Sequence, residues 1–120
     1  MREIADEADF AWLLTARQAI LFVDFDWSAQ SKLSASVVVE WERTSHLWGL
    51  NEPVYRVRPD RVPAAADWIK CREIRLKGEG GYGSLIWLRF GQIVDYEPYV
   101  VGAGLRDISQ RTRTVFLQEA

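Results

Sequence analysis

Ser28 and Ser31 follow an apolar run that ends in Asp24, Phe25, Asp26 and Trp27, and they are the residues with the most scope for chemistry in this 120-residue chain. A nucleophilic serine needs a base within hydrogen-bond reach. The single histidine, His46, lies 18 positions beyond Ser28 on what reads as the same helix. At about 1.5 Å per residue the two are roughly 27 Å apart, so no Ser-His pair forms there. Asp24 and Asp26 are closer, but free carboxyls titrate near about 4 and are weak bases. Both read as solvated residues at a strand end. The leading reading of Ser28 is therefore a helix N-cap, its hydroxyl accepting from a free backbone N–H and contributing about 1 kcal/mol. Contact with a ligand comes second and catalysis last.

Other chemistries find less support. One cysteine and one histidine cannot supply the ligands of a zinc site, and the carboxylates form no recognisable metal loop. No metal and no cofactor is expected. The segment holding Gly78, Gly80, Gly81 and Gly83 leads into a strand rather than opening a helix, so it lacks the N–H cradle of a phosphate loop and reads as a flexible connection. Cys71, near the end of a predicted helix, reads as a packed or half-buried thiol.

Fifteen Lys plus Arg against seventeen Asp plus Glu, interspersed along the chain, leave a formal charge of −2. A nucleic-acid binder concentrates basic charge on one face, so that class is disfavoured. Apolar runs fall far short of the roughly 20 residues of a membrane helix. The acidic start MREIADEADF is unlike a secretion signal, and a lone cysteine suits a reducing cytoplasm.

The elements that must position these residues follow from periodicity. Residues 6–16 read as a helix with Phe10, Leu13 and Leu14 on one side. Residues 19–25 are continuously apolar until their end, as in a strand covered on both faces at the centre of a sheet. A long helix follows Ser28, its stripe Leu33, Val37, Trp41, Thr44 and Trp48 reading as inward until Gly49 and Pro53 stop it. Residues 54–58 form a second strand beside the first, completing a βαβ unit. Pro63 opens a short helix to about residue 72. Residues 84–90 and 92–96 make an antiparallel hairpin around Gly91. A last helix turns Leu105, Ile108, Thr112, Val115 and Phe116 inward, with Arg106, Asp107, Arg111 and Arg113 toward water. Most of the six tryptophans belong to the core by this reading.

This order resembles thioredoxin, and the stretch from Ala19 to Lys32 sharpens the resemblance. It is similar to that family's central strand followed by Trp-Cys-Gly-Pro-Cys-Lys, with Trp27 and Lys32 kept and Ser28 and Ser31 at the two cysteine positions. Ungapped, the family's buried acid falls on Phe22, and Gly83 stands at the position of its cis-proline. The resemblance covers nearly the whole chain and implies one domain over residues 1–120. The fold it implies is a thioredoxin-like three-layer α/β/α sandwich with a mixed central sheet of about four to five strands.

Dithiol exchange requires thiolate attack on a disulfide sulfur and a second thiol to resolve the mixed disulfide, and a hydroxyl does neither. The resemblance thus implies a redox-inactive member that has lost both cysteines, the buried acid and the cis-proline. The expected activity is non-catalytic binding of a protein or peptide through Trp27, Ser28, Ser31, Tyr82, Gly83 and Ser84, with Trp27 as the aromatic anchor. Gly83 opens backbone space beside Ser84 for strand-like pairing with a partner. The alternative is a glutathione-like small thiol ligand oriented by Ser28, as in thioredoxin-fold transferases. A homo-oligomer that buries exposed tryptophans is a third reading. No nucleic acid or membrane is expected as a partner.

Overall fold

The computed structural model describes residues 1–71 and 83–117, leaving Tyr82 and the glycines at 78, 80 and 81 outside the described residues. Its strands are β1 (Arg2–Ile4), β2 (Ala19–Val23), β3 (Val54–Val57), β4 (Ser84–Arg89) and β5 (Gln92–Glu97). Its helices are α1 (Glu7–Leu13), α2 (Ala29–Thr44), α3 (Pro63–Cys71) and α4 (Val100–Thr112). The sheet order is β1-β3-β2-β4-β5, with β1, β3 and β2 parallel and the β4–β5 hairpin antiparallel beside β2. β2 is thus the sheet centre, and all five of its residues are buried.

Alternation along the strands builds two cores. Leu21, Val23, Tyr55, Val57 and Ile86 face Phe10 and Leu13 of α1 and Trp68 and Ile69 of α3. Ile20, Phe22, Val54, Leu85 and Trp87 face Val38 and Trp41 of α2 and Ile108 of α4. The result is the three-layer sandwich with a mixed sheet that the sequence order suggested.

Several expectations need correction. Strand β1 has no apolar run to announce it, since two of its three residues are Arg2 and Glu3. It forms because β3 offers a free edge and Ile4 is buried below. Helix α1 is shorter than expected, starting at an Asp6 cap that accepts from Asp9 N and ending at Leu13. Of the expected stripe on α2, Trp41 is wholly buried and Val37 packs against the core, but Leu33 is 58% exposed and Trp48 36%, so the inward face is rotated from the one expected. Ser31, Ser34 and Val38 are buried beside Trp41. Small hydroxyl residues let the helix approach the sheet closely, and a search for apolar spacing passes over them. Trp41, Trp68 and Trp87 are buried, but Trp12, Trp27 and Trp48 are exposed, so half of the tryptophans rather than most are core.

At the hairpin, Phe90 and Gly91 both have positive φ, as a two-residue type I′ connection requires. Further along, helix α4 is interrupted at Gly104, whose φ/ψ are non-helical. Arg111 does not face water. Its guanidinium lies 4.8 Å from the centre of the buried Trp87 ring and bonds Asp95 at 3.0 Å and Glu97 at 2.7 Å.

Burial by itself pushes the Asp95 carboxyl up, but bonds from Arg111 and the Tyr96 N–H, with the charge of Arg111, hold it below its ordinary 3.8. A folded-state value below the unfolded one means that the pair stabilises fully above about pH 4 and loses that contribution as pH falls through the folded value. Arg111→Met is expected to be about 1–2 kcal/mol less stable than the parent at pH 7. The gap should narrow as acid protonates Asp95, without vanishing because the Trp87 and Tyr96 carbonyl contacts do not titrate, as read from urea unfolding at pH 7 and at acid pH.

Candidate functional site

The turn from β2 into α2 gathers the serines. Ser28 is the N-cap of α2, in extended backbone, and its Oγ accepts from Ser31 N at 3.1 Å. Only 4% of Ser28 is exposed, and Ser31 is wholly buried. The Ser31 hydroxyl donates to Asp24 Oδ1 at 2.6 Å and accepts from Phe25 N at 3.0 Å. Lys32 Nζ, one residue on, reaches Asp24 Oδ1 at 3.2 Å and Oδ2 at 3.4 Å.

Asp24 is therefore not a solvated strand-end residue; it is 1% exposed and forms the hub of the turn. Its place follows from parity, since residues 20, 22 and 24 of an extended chain share one face and that face looks toward α2. Phe22, at the ungapped position of the family's acid, is fully buried and apolar. The family's acid is thus absent from its own position, while a different buried acid, Asp24, stands two residues later against the second of the two serines. Arg56 Nη1 and Arg58 Nε stand 3.9 Å from Asp24 Oδ2. Asp26, by contrast, is exposed, and a hydrogen bond from Arg61 holds its carboxyl below its usual range.

Across from α2, Gly83 has φ +86°, and a Cβ there would lie 2.5 Å from Ser34 Cβ and 3.2 Å from Phe22 Cζ. Gly83 thus lets β4 enter against the second turn of α2. Its carbonyl accepts from Val100 N at 3.2 Å, so that acceptor is engaged within the domain rather than open for pairing with a partner. No peptide bond is cis among the described residues. Ser84 is 1% exposed and donates from Oγ to Pro98 O at 3.0 Å.

Of the five described residues among the six singled out from sequence, Trp27 alone is exposed, at 60%, with its ring 5.7 Å from that of Phe25. Ser28, Ser31, Gly83 and Ser84 are buried beneath the turn, and Tyr82 is outside the described residues. His46 is exposed, on a short 3-10 turn at the far end of α2. Cys71 is exposed rather than packed. No group of ligating side chains suited to a metal occurs among the described residues, and no described helix is long and apolar enough to cross a membrane. The chemistry available at the turn is hydrogen bonding and aromatic contact. Asp24 and the arginines at 56, 58 and 61 were missed from sequence, although the apolar-to-charged switch at alternate positions running out of β2 and along β3 marks all but Arg61, which lies in the turn before α3.

No family model matches the chain, and no curated protein sequence does. Solved structures do match it along its length. Thioredoxin f2 of Chlamydomonas reinhardtii superposes with a TM-score of 0.68 at 10% identity, covering 97% of this chain and 96% of that one. The oxidised thioredoxin of Plasmodium falciparum gives 0.67 at 12% identity over 92% and 96% of the two chains. The thioredoxin of Fasciola hepatica gives 0.63 at 16% over 92% and 98%.

Proposed function

We propose that this chain, which has the thioredoxin-like fold, is a redox-inactive binding module that holds a protein or peptide partner at the mouth of α2, with Trp27 as the anchor. The observation that carries the reading is Trp27 itself. It stands 60% exposed on the connection from β2 to α2, beyond the carboxyl end of the central strand. In open α/β sheets ligands bind beyond those strand ends, and exposed tryptophans are frequent interface anchors.

Redox inactivity is supported by the hydroxyls at 28 and 31 and by the single cysteine, which cannot close a disulfide within the chain. A small thiol ligand oriented by Ser28 has less support. That hydroxyl is buried and already accepts from Ser31 N.

The test is affinity capture from native extract with the parent, Trp27→Ala and Trp12→Ala, the last removing a tryptophan that is 53% exposed on α1. A hot-spot tryptophan is worth about 2 kcal/mol or more, roughly a thirtyfold loss of affinity. Partners should vanish with Trp27→Ala and persist with Trp12→Ala. Equal recovery with all three proteins overturns the proposal.

A further inference from the structure

Beside the Trp27 turn, the carboxyl ends of β1 and β3 border a cavity of about 320 Å³ lined by Glu3, Ile4, Ala5, Arg56, Arg58 and Arg61. Its position is a consequence of topology. The chain leaves β1 toward α1 on one face of the sheet and leaves β2 toward α2 on the other, with β3 between them, so the connections diverge and a crevice remains. The volume lies at the lower end of the range for small-molecule sites, which starts near about 300 Å³.

The walls of this crevice are unusual. Arg56 and Arg58, two apart on an extended strand, project to the same side, where pairing of β1 with β3 sets Glu3 directly opposite Arg56. The Glu3 carboxyl spans both guanidiniums, accepting from Arg56 Nε at 2.8 Å and from Arg58 Nη1 at 2.5 Å. Arg61 closes a third side, with its Nε on Asp26 Oδ2 at 2.8 Å. The Arg56 and Arg58 side chains are only 29% and 17% exposed, so both are fixed in the wall rather than swinging in water. Planar guanidinium forks of this kind match carboxylate and phosphate oxygens.

We infer that this notch is a binding site for a small multivalent oxyanion, a metabolite bearing phosphate or carboxylate groups, and that Glu3 is its internal placeholder. Glu3 sits on a three-residue edge strand and its side chain is 35% exposed, so it is free to turn outward when an incoming oxyanion takes its two donors. The charges in the notch are close to balanced, with Asp26 and Asp24 on the far side of Arg58 at 3.1 and 3.9 Å. Recognition thus rests on the geometry of three forks rather than on a broad positive field.

The experiment is titration of the ¹⁵N-labelled protein with inorganic phosphate, pyrophosphate and citrate, each against chloride at matched ionic strength. Backbone amides of Ala5, Arg58 and Arg61 should shift in a saturable way with at least one of the three, and the best of them tells phosphate from carboxylate preference. Glu3→Gln removes the competing charge and should tighten that ligand about tenfold. Arg61→Gln, at a side chain 60% exposed and so safe for folding, should weaken it about tenfold. Trp27→Ala should leave it unchanged, which separates this site from the proposed partner surface. No saturable shift up to millimolar ligand, or binding that Glu3→Gln fails to strengthen and Arg61→Gln fails to weaken, overturns the inference.

Discussion

Asp24→Ala is expected to cost about 2–4 kcal/mol and to lower the melting temperature by about 10 °C. The carboxyl is 1% exposed and is the shared acceptor for the Ser31 hydroxyl and the Lys32 ammonium, with two guanidiniums 3.9 Å away. Removing it leaves a buried O–H without its acceptor and takes one carboxylate from beside Arg56 and Arg58, which keep their closer bonds to Glu3. Lys32 is half exposed and regains water, which keeps the cost below that of a fully buried ion pair. Asp24→Asn retains volume and an acceptor oxygen, so it should lose less than half as much. If the alanine variant unfolds at the same urea midpoint as the parent, Asp24 is not the hub of the turn.

Gly83→Ala should be about as damaging, at roughly 2–5 kcal/mol, and for a different reason. Positive φ costs a residue with a Cβ about 1–2 kcal/mol. At Gly83 the added carbon would also sit 2.5 Å from Ser34 Cβ, and overpacking of this kind costs about 1–3 kcal/mol more. The two contributions separate in a double-mutant cycle. In a Ser34→Gly background the clash with Ser34 disappears, and the backbone part of about 1–2 kcal/mol remains together with the milder 3.2 Å contact to Phe22. Equal costs in both backgrounds would remove the argument that β4 and α2 are in contact there. Proline at this position fares worse, because its φ is locked near −65° and cannot reach +86°. The cis-proline of thioredoxins therefore cannot be restored here by one substitution.

The two variants probe opposite sides of one arrangement. Asp24 anchors the start of α2 through Ser31, and Gly83 lets β4 lie against the next turn of the same helix at Ser34. Ser31 and Ser34 are the small residues that make both approaches possible, and both are wholly buried. Where a dithiol protein would place sulfur for exchange, this chain has hydroxyls committed to holding a helix against a sheet.

The sequence by itself determined the layout of the domain. Continuous apolar residues 19–23, the cap at Ser28, Pro63 at the head of α3 and the turn at Gly91 are local signals, and each element lies where its signal stood. That the chain holds a single cysteine, with serines at 28 and 31, is likewise read directly from the sequence. Tertiary structure decided what local pattern cannot encode. Strand β1 exists because β3 lends it an edge. The inward face of α2 is set by how closely Ser31 and Ser34 allow it to approach the sheet, so Leu33 is left outside. Asp24 is buried because the helix start, two arginines of β3 and a lysine converge on it from positions up to 34 residues away. Hydrogen bonds and periodicity within a segment are short-range and can be read along the chain, whereas burial and ion pairing depend on which surfaces meet after folding.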